Sequence, residues 1–123
     1  MQIISPKAVK DFALEDASFK IGILPFGKRT ELESSAYFNG KAETREQIAS
    51  ILQQSYESVR WGVRGHSGLK LEDGAEVPFK IDEQEKCVSE ETMAFYAATP
   101  GLLTRLASFV QEMNYVTKEV AKN

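Results

Sequence analysis

The stretch WGVRGHSGLKLEDGAEVPFKID, Trp61–Asp82, decides how the chain is read. It holds four glycines, the only tryptophan and the only histidine of the sequence. Asp73-Gly74 is a turn signal, because glycine takes positive φ without steric cost. The alternation in Leu69-Lys70-Leu71 and Glu76-Val77-Pro78-Phe79-Lys80-Ile81 on either side of that turn spells a small hairpin. Pro78 keeps the hairpin short or places it at an edge. A lone hairpin is marginal in water and has to pack on something. Residues 62–82 are therefore expected to be an ordered loop or hairpin connector between helices. Trp61 and Phe79 are its anchors: Trp61 fixes the end of the preceding helix and Phe79 plugs back into the core.

The segments on both sides read mainly as helix. From Thr44 to about Trp61 the apolar side chains Ile48, Ile51, Leu52, Tyr56, Val59 and Val63 fall on one face at 3.6 residues per turn. Gly62 and Gly65 end that helix. Ser89, followed by Glu90 and Glu91, starts another, and Met93, Phe95, Tyr96 and Ala97 bury it. Thr99-Pro100 reads as an N-cap with proline at the first helical position. The last helix is expected from Pro100 to about Ala121, spanning roughly 33 Å at 1.5 Å per residue. Its seam is Leu102, Leu106, Phe109, Met113, Val116 and Val120, with Leu103 and Val110 flanking. Earlier in the chain, Thr30 to Glu33 fits a capping box for a short helix that runs to about Phe38 and stops at Asn39-Gly40. Phe19, Ile21 and Ile23 alternate as a strand does, ended by Pro25. Residues 7–15 suit one or two turns of helix inside a flexible N-terminal segment, 1–17. The resulting expectation is a single domain, 1–123, mainly α: a small bundle of about four helices with a minor strand or hairpin element.

Composition narrows the function. The chain has 123 residues, of which 42% are hydrophobic and 27% charged, so it can build a core without staples. Its net charge is −3, and its basic residues come in pairs such as Lys28-Arg29, not in runs. That argues against nucleic acid as a partner, since phosphate contacts call for a basic surface. Eight acidic side chains lie between Glu72 and Glu91 against Lys80 and Lys86, as a solvated face or as a surface for a basic partner. Cys87 is the only cysteine, so no internal disulfide forms and a reducing compartment suits the chain. It reads as a small apolar residue or a partly exposed thiol. No run is long enough to cross a membrane. The N-terminus lacks the apolar core of a signal peptide. A soluble protein of the cytoplasm is expected.

Chemistry is sparse. Gly65-His66-Ser67-Gly68 is not the G-x-S-x-G nucleophile elbow. Gly62, Gly65 and Gly68 do not form a phosphate loop. His66, Cys87 and the carboxylates have no metal-ligand spacing. His66 reads as a solvated loop residue. No catalytic, cofactor-binding or metal-binding residues are assigned, and the chain is not expected to be an enzyme.

In layout the chain resembles the small tail assembly chaperones of long-tailed bacteriophages, the lambda-like siphophages. An extended segment, Phe19 to Pro25, precedes an amphipathic helix that ends at Trp61-Gly62-Val63. A loop follows with Asp73-Gly74 and Val77-Pro78-Phe79, and then a short helix, a proline and a final helix. The stretch from Lys80 to Val88 is longer and more charged than the pattern. The resemblance covers roughly Phe19 to Val120. It implies a mostly helical protein of the host cytoplasm that is absent from the finished virion. Such a protein binds the tape measure protein, keeps that long helical polypeptide soluble and helps recruit tail tube subunits. It also implies a longer form made by ribosomal frameshift, which the codons of Ala121-Lys122-Asn123 would permit if they carry a slippery repeat. Under this reading Phe109, Met113, Val116 and Val120 contact the client or a second protomer in a homo-oligomer. The rival readings are a virion structural component of neck or tail end, a small protein-binding regulator, and an enzyme using His66.

Overall fold

The computed structural model describes residues 1–33 and 44–115. Its described elements are three strands and four helices in an α/β arrangement, and this overturns the mainly helical expectation. In chain order they are β1 (Val9–Leu14), β2 (Ala17–Gly22), α1 (Phe26–Glu33), α2 (Arg45–Gly62), β3 (Val63–Ser67), α3 (Glu90–Ala98) and α4 (Leu102–Asn114). The sheet is antiparallel in the order β1-β2-β3.

The sheet begins with a tight hairpin. Leu14 pairs with Ala17 across Glu15 and Asp16, and Glu15 takes φ 55° to make the turn. Phe12 lies opposite Phe19, and both are buried together with Ile21. On the other face Asp11 sits opposite Lys20 and pairs with it at 3.2 Å in solvent. One buried and one wetted face is the usual state of an antiparallel sheet. Residues 9–14, expected in a flexible or helical segment, are thus the first strand. The period-two pattern Lys10-Phe12-Leu14 is short and interrupted by charge, which hid it.

The sequence concealed the third strand altogether. Val63–Ser67, expected to be connector, pairs with β2 and carries a bulge: Ile21 pairs with Val63 and Lys20 with Gly65, which leaves Arg64 as the extra residue. Helix α2 passes into β3 with no intervening loop. Val63 is buried, and Gly62 lies so close to α4 that a Cβ there would sit 2.7 Å from a Val110 methyl.

The core lies between the inner face of the sheet and the helices. Phe19 and Ile21 from β2, Val59 and Val63, Val88, Met93 and Tyr96, and Leu106 and Val110 are all fully buried. The buried face of α2 is Ser55, Ser58, Val59 and Gly62, whereas Ile48 and Leu52 are about half exposed at 50% and 53%. The apolar stripe read from the sequence therefore meets the core only at its C-terminal end. Small side chains there allow α4 to approach closely, a consequence of close packing that hydropathy does not register.

Three helix boundaries differ from expectation. Helix α1 starts at Phe26 after Pro25, and Thr30 is an interior residue whose hydroxyl donates to the Gly27 carbonyl at 3.0 Å. The expected extension to Phe38 and stop at Asn39-Gly40 lie outside the described residues. Helix α4 starts after Gly101, which takes φ 77°, and Thr99 is the C-cap of α3, its hydroxyl bonded to the Phe95 carbonyl at 3.0 Å. Helix α4 ends at Asn114, well short of Ala121, because Tyr115 turns to extended geometry at φ −123° and ψ 138°. The capping signals of α2 and α3 are plain in the structure. Thr44 and Gln47 cap each other's backbone at 3.1 Å, and the Ser89 hydroxyl accepts from Thr92 N–H at 3.2 Å.

Candidate functional site

Two features stand out above the core: a polar lock around His66 and an apolar groove beside α1. The lock comes first, because it shapes the segment that opened the sequence reading.

His66 lies on β3 and is partly buried, in contrast to the solvated loop residue expected. Its Nε2 is 2.7 Å from the Val77 carbonyl and its Nδ1 is 2.5 Å from the Tyr96 hydroxyl. A carbonyl only accepts, so Nε2 carries the hydrogen and donates it. In a neutral ring Nδ1 then accepts from the Tyr96 hydroxyl. The imidazole also meets Phe79 edge-on at 5.3 Å and Phe19 at 6.2 Å. Tyr96 is fully buried, and desolvation pushes its phenol well above the ordinary value of 10.0. His66 thereby joins three elements: the sheet, the 69–79 segment and α3.

The small hairpin expected around Asp73-Gly74 is present in minimal form. Lys70 bridges to Glu76, Leu71 N–H donates to Ala75 at 2.8 Å, and Val77 N–H donates to Leu69 at 2.8 Å. Phe79, half-buried, packs against the core, as does Trp61. Trp61 also carries the ammonium of Lys28 over its ring at 5.5 Å. Beyond Phe79, the Thr92 hydroxyl accepts from Lys80 N–H at 3.0 Å and donates to the Pro78 carbonyl at 3.2 Å, which fastens the segment to α3. Cys87 is buried, and burial pushes its thiol up. Among the described residues no group of three or more His, Cys, Asp and Glu could hold a metal ion.

The groove, of about 720 Å³, runs beside the start of α1 and the end of α4. Ile4, Pro6, Ile23, Pro25, Phe26 and Met113 supply its apolar wall, and Arg29, Arg64 and Tyr115 its polar edge. Phe26 is 81% exposed and Ile4 73%, large values for residues that would be expected inside. The floor is held by one buried side chain. Asn114 Oδ1 accepts from Leu24 N–H at 2.7 Å, while its Nδ2 donates to the carbonyls of Gly22 at 3.1 Å and Val110 at 2.8 Å. The amide thus takes the place of a further strand beside the end of β2 and welds α4 to the sheet.

The expected contact residues distribute as follows. Met113 lines this groove. Phe109 is half-buried and stacks on Phe12 with centroids 4.8 Å apart and planes 23° apart. Val116 and Val120 lie outside the described residues. Sequence reasoning passed over Asn114 and Arg64: a lone asparagine near a helix end carries no periodic signal, and the bulge that aims Arg64 exists only once β3 pairs with β2.

A second cleft, of about 830 Å³, lies between the β1–β2 turn, Gly68–Lys70 and the start of α4. Gly68 takes φ 75° at its edge, where a Cβ would stand 2.5 Å from the Asp16 carbonyl oxygen. No helix among the described residues is long and apolar enough to cross a membrane. No family model matches the chain, and comparison with curated proteins and with solved structures found no similar chain.

Proposed function

We propose that this chain is a tail assembly chaperone of a long-tailed bacteriophage. In this role it binds the tape measure protein in the host cytoplasm, keeps it soluble, helps recruit tail tube subunits and leaves before the virion is complete. The observation that carries the reading is the open apolar groove with Phe26 and Ile4 exposed beside Met113. A chaperone of an apolar helical client needs an apolar surface that it can offer while remaining soluble, and a net charge of −3 favours that solubility. The sequence elements of the resemblance also belong to one unit. Trp61-Gly62-Val63 is the helix-to-strand junction, and the segment through Asp73-Gly74 and Val77-Pro78-Phe79 closes onto His66 of the same strand.

The experiment is coexpression with the tape measure protein from the same phage, reading its soluble fraction, together with an immunoblot of purified particles. The expected result is a soluble tape measure protein with wild type, precipitation with Phe26→Glu, and no chain in the particles. A tape measure protein that precipitates regardless would sink the proposal. The chain inside particles would make it a virion structural component.

A further inference from the structure

The groove contains a cation, Arg64, that no carboxylate among the described residues answers. The β3 bulge turns the Arg64 side chain back across Gly22, where a Cβ would stand 2.8 Å from Nε and 2.9 Å from Cγ. Glycine at position 22 is therefore what lets the guanidinium lie there. One terminal nitrogen donates to the Trp61 carbonyl and the other to the Ile23 carbonyl at 2.7 Å. These carbonyls fix its position and leave its formal charge intact. The neighbouring cations are matched: Lys28 pairs with Glu57 at 3.3 Å and Arg29 with Glu33 at 3.2 Å. Arg64 makes no ion pair among the described residues.

We propose that the groove takes an apolar segment of a partner polypeptide that carries an acidic side chain, with the apolar groups covering Phe26, Ile4 and Met113 and the carboxylate meeting Arg64. The inference rests on the protein-binding reading above and specifies its chemistry. Charge complementarity selects the occupant. A purely apolar segment would leave the guanidinium partly desolvated and unpaired, whereas a carboxylate gains a charge-assisted pair there. A guanidinium has five N–H donors, so two carbonyl contacts leave donors for a ligand. Because those contacts already hold the side chain, pairing costs little further rotamer freedom.

The test selects short random peptides displayed on yeast against the full chain. Enriched peptides, and versions with Asp or Glu changed to the amide, are then titrated by fluorescence anisotropy. The proteins compared are wild type, Arg64→Gln, Arg64→Lys and Phe26→Ser. The expected peptides combine apolar residues with an acid. Loss of the charge in Arg64→Gln weakens them by about fivefold, Arg64→Lys retains most of the binding, and Phe26→Ser weakens it as well. The amide peptide loses affinity for wild type and nothing further for Arg64→Gln, as a coupled pair requires. If Arg64→Gln fails to fold, the comparison of acid and amide peptides on wild type and Arg64→Lys still decides.

Equal binding of acid and amide peptides by wild type overturns the inference, as does binding indifferent to Phe26→Ser, or no enrichment at all. Self-association of the chain that Arg64→Gln dissolves would assign the groove to a second copy and overturn it too. A groove that binds apolar peptides without acid preference leaves the chaperone reading standing. An acid-selective groove in a chain that fails to solubilise the tape measure protein removes that reading and leaves this one.

Discussion

Replacing Asn114 by alanine tests how the sheet and the last helix are joined. The side chain is 6% exposed and makes three hydrogen bonds, to Leu24 N–H, the Gly22 carbonyl and the Val110 carbonyl. Val110 lies in α4, whose helical geometry gives its carbonyl other support. Leu24 is different: it lies beyond the last residue of β2 and is itself buried, so its N–H would be left without an acceptor. An orphaned buried donor costs about 1–3 kcal/mol, and a weakened carbonyl adds on the order of 1 kcal/mol. The sum is about 2–4 kcal/mol, a large part of the stability of an ordinary domain at about 5–15 kcal/mol. For a chain of this size each kcal/mol moves Tm by about 4 °C, so the transition should fall by roughly 8–16 °C. Urea unfolding followed by circular dichroism at 222 nm gives the free energy directly. Asn114→Asp is the companion variant: it keeps an acceptor for Leu24 but turns a carboxylate oxygen toward two carbonyls, and should be at least as damaging at neutral pH. A loss below about 0.5 kcal/mol for Asn114→Ala, or an aspartate variant of wild-type stability, would refute the idea that this amide is the weld.

Other predictions follow from neighbouring geometry. Gly68→Ala places a Cβ against the Asp16 carbonyl at 2.5 Å and should destabilise the fold clearly more than Gly74→Ala. The latter has φ 87° but open space, and should cost only about 1 kcal/mol of backbone strain; paired thermal melts separate the two. Trp61→Ala removes a side chain that is half-buried, so its cost should be about 2–3 kcal/mol, below the 3–5 kcal/mol of a fully buried aromatic. Tyr96→Phe should cost about 1–2 kcal/mol in urea unfolding, because the His66 Nδ1 loses its donor. The same residue sets a pH limit. Its phenol ionises near 10.0 when exposed and at a higher value when folded, so the folded state holds the proton longer. Stability from this group is complete below about pH 10 and falls above it, by up to about 1.4 kcal/mol per pH unit, and the slope should vanish in Tyr96→Phe.

The elements carried by side-chain period, and the Ser89 cap of α3, were legible in the sequence, whereas the caps read at Thr30 and Thr99 were misplaced and the elements created by contact between distant segments were missed. Phe19 and Ile21 announced β2, and Ser89 with its two glutamates announced α3. Helix α2 was found along its whole length, yet its first half was assigned a core face that Ile48 and Leu52 do not have. Val63–Ser67 contains arginine, glycine, histidine and serine, and becomes a strand only because β2 offers an edge next to the end of α2. That error made the difference between a helical bundle and an α/β fold. It also misplaced His66, whose partners Val77 and Tyr96 are 11 and 30 residues away along the chain. The shortened α4 has a similar cause. The heptad seam was real as a pattern, but the buried stripe is Leu102, Leu106, Ala107, Val110 and Asn114, and a polar side chain at its end turns to the sheet. Of the groove, only Met113 was anticipated as a contact residue; Arg64 depends on a bulge, and nothing in the sequence pattern marks Phe26 as exposed.

The direct passage of α2 into β3 fixes where the chain tolerates a change in length. Between Gly62 and Val63 there is no slack. One residue inserted there would shift β3 by one position against β2, and side chains alternate with period two. Val63 would then point out of the core, and His66 away from Tyr96 and Val77. The alternative, a second bulge, would compete with the one that already aims Arg64. At the Asp73-Gly74 tip the surroundings are open, and added residues would only lengthen an exposed turn. Related chains of different length should therefore vary at that tip and keep the 62–63 junction without insertion or deletion, so the spacing from Trp61 to His66, with glycine at 62, is a signature of this fold.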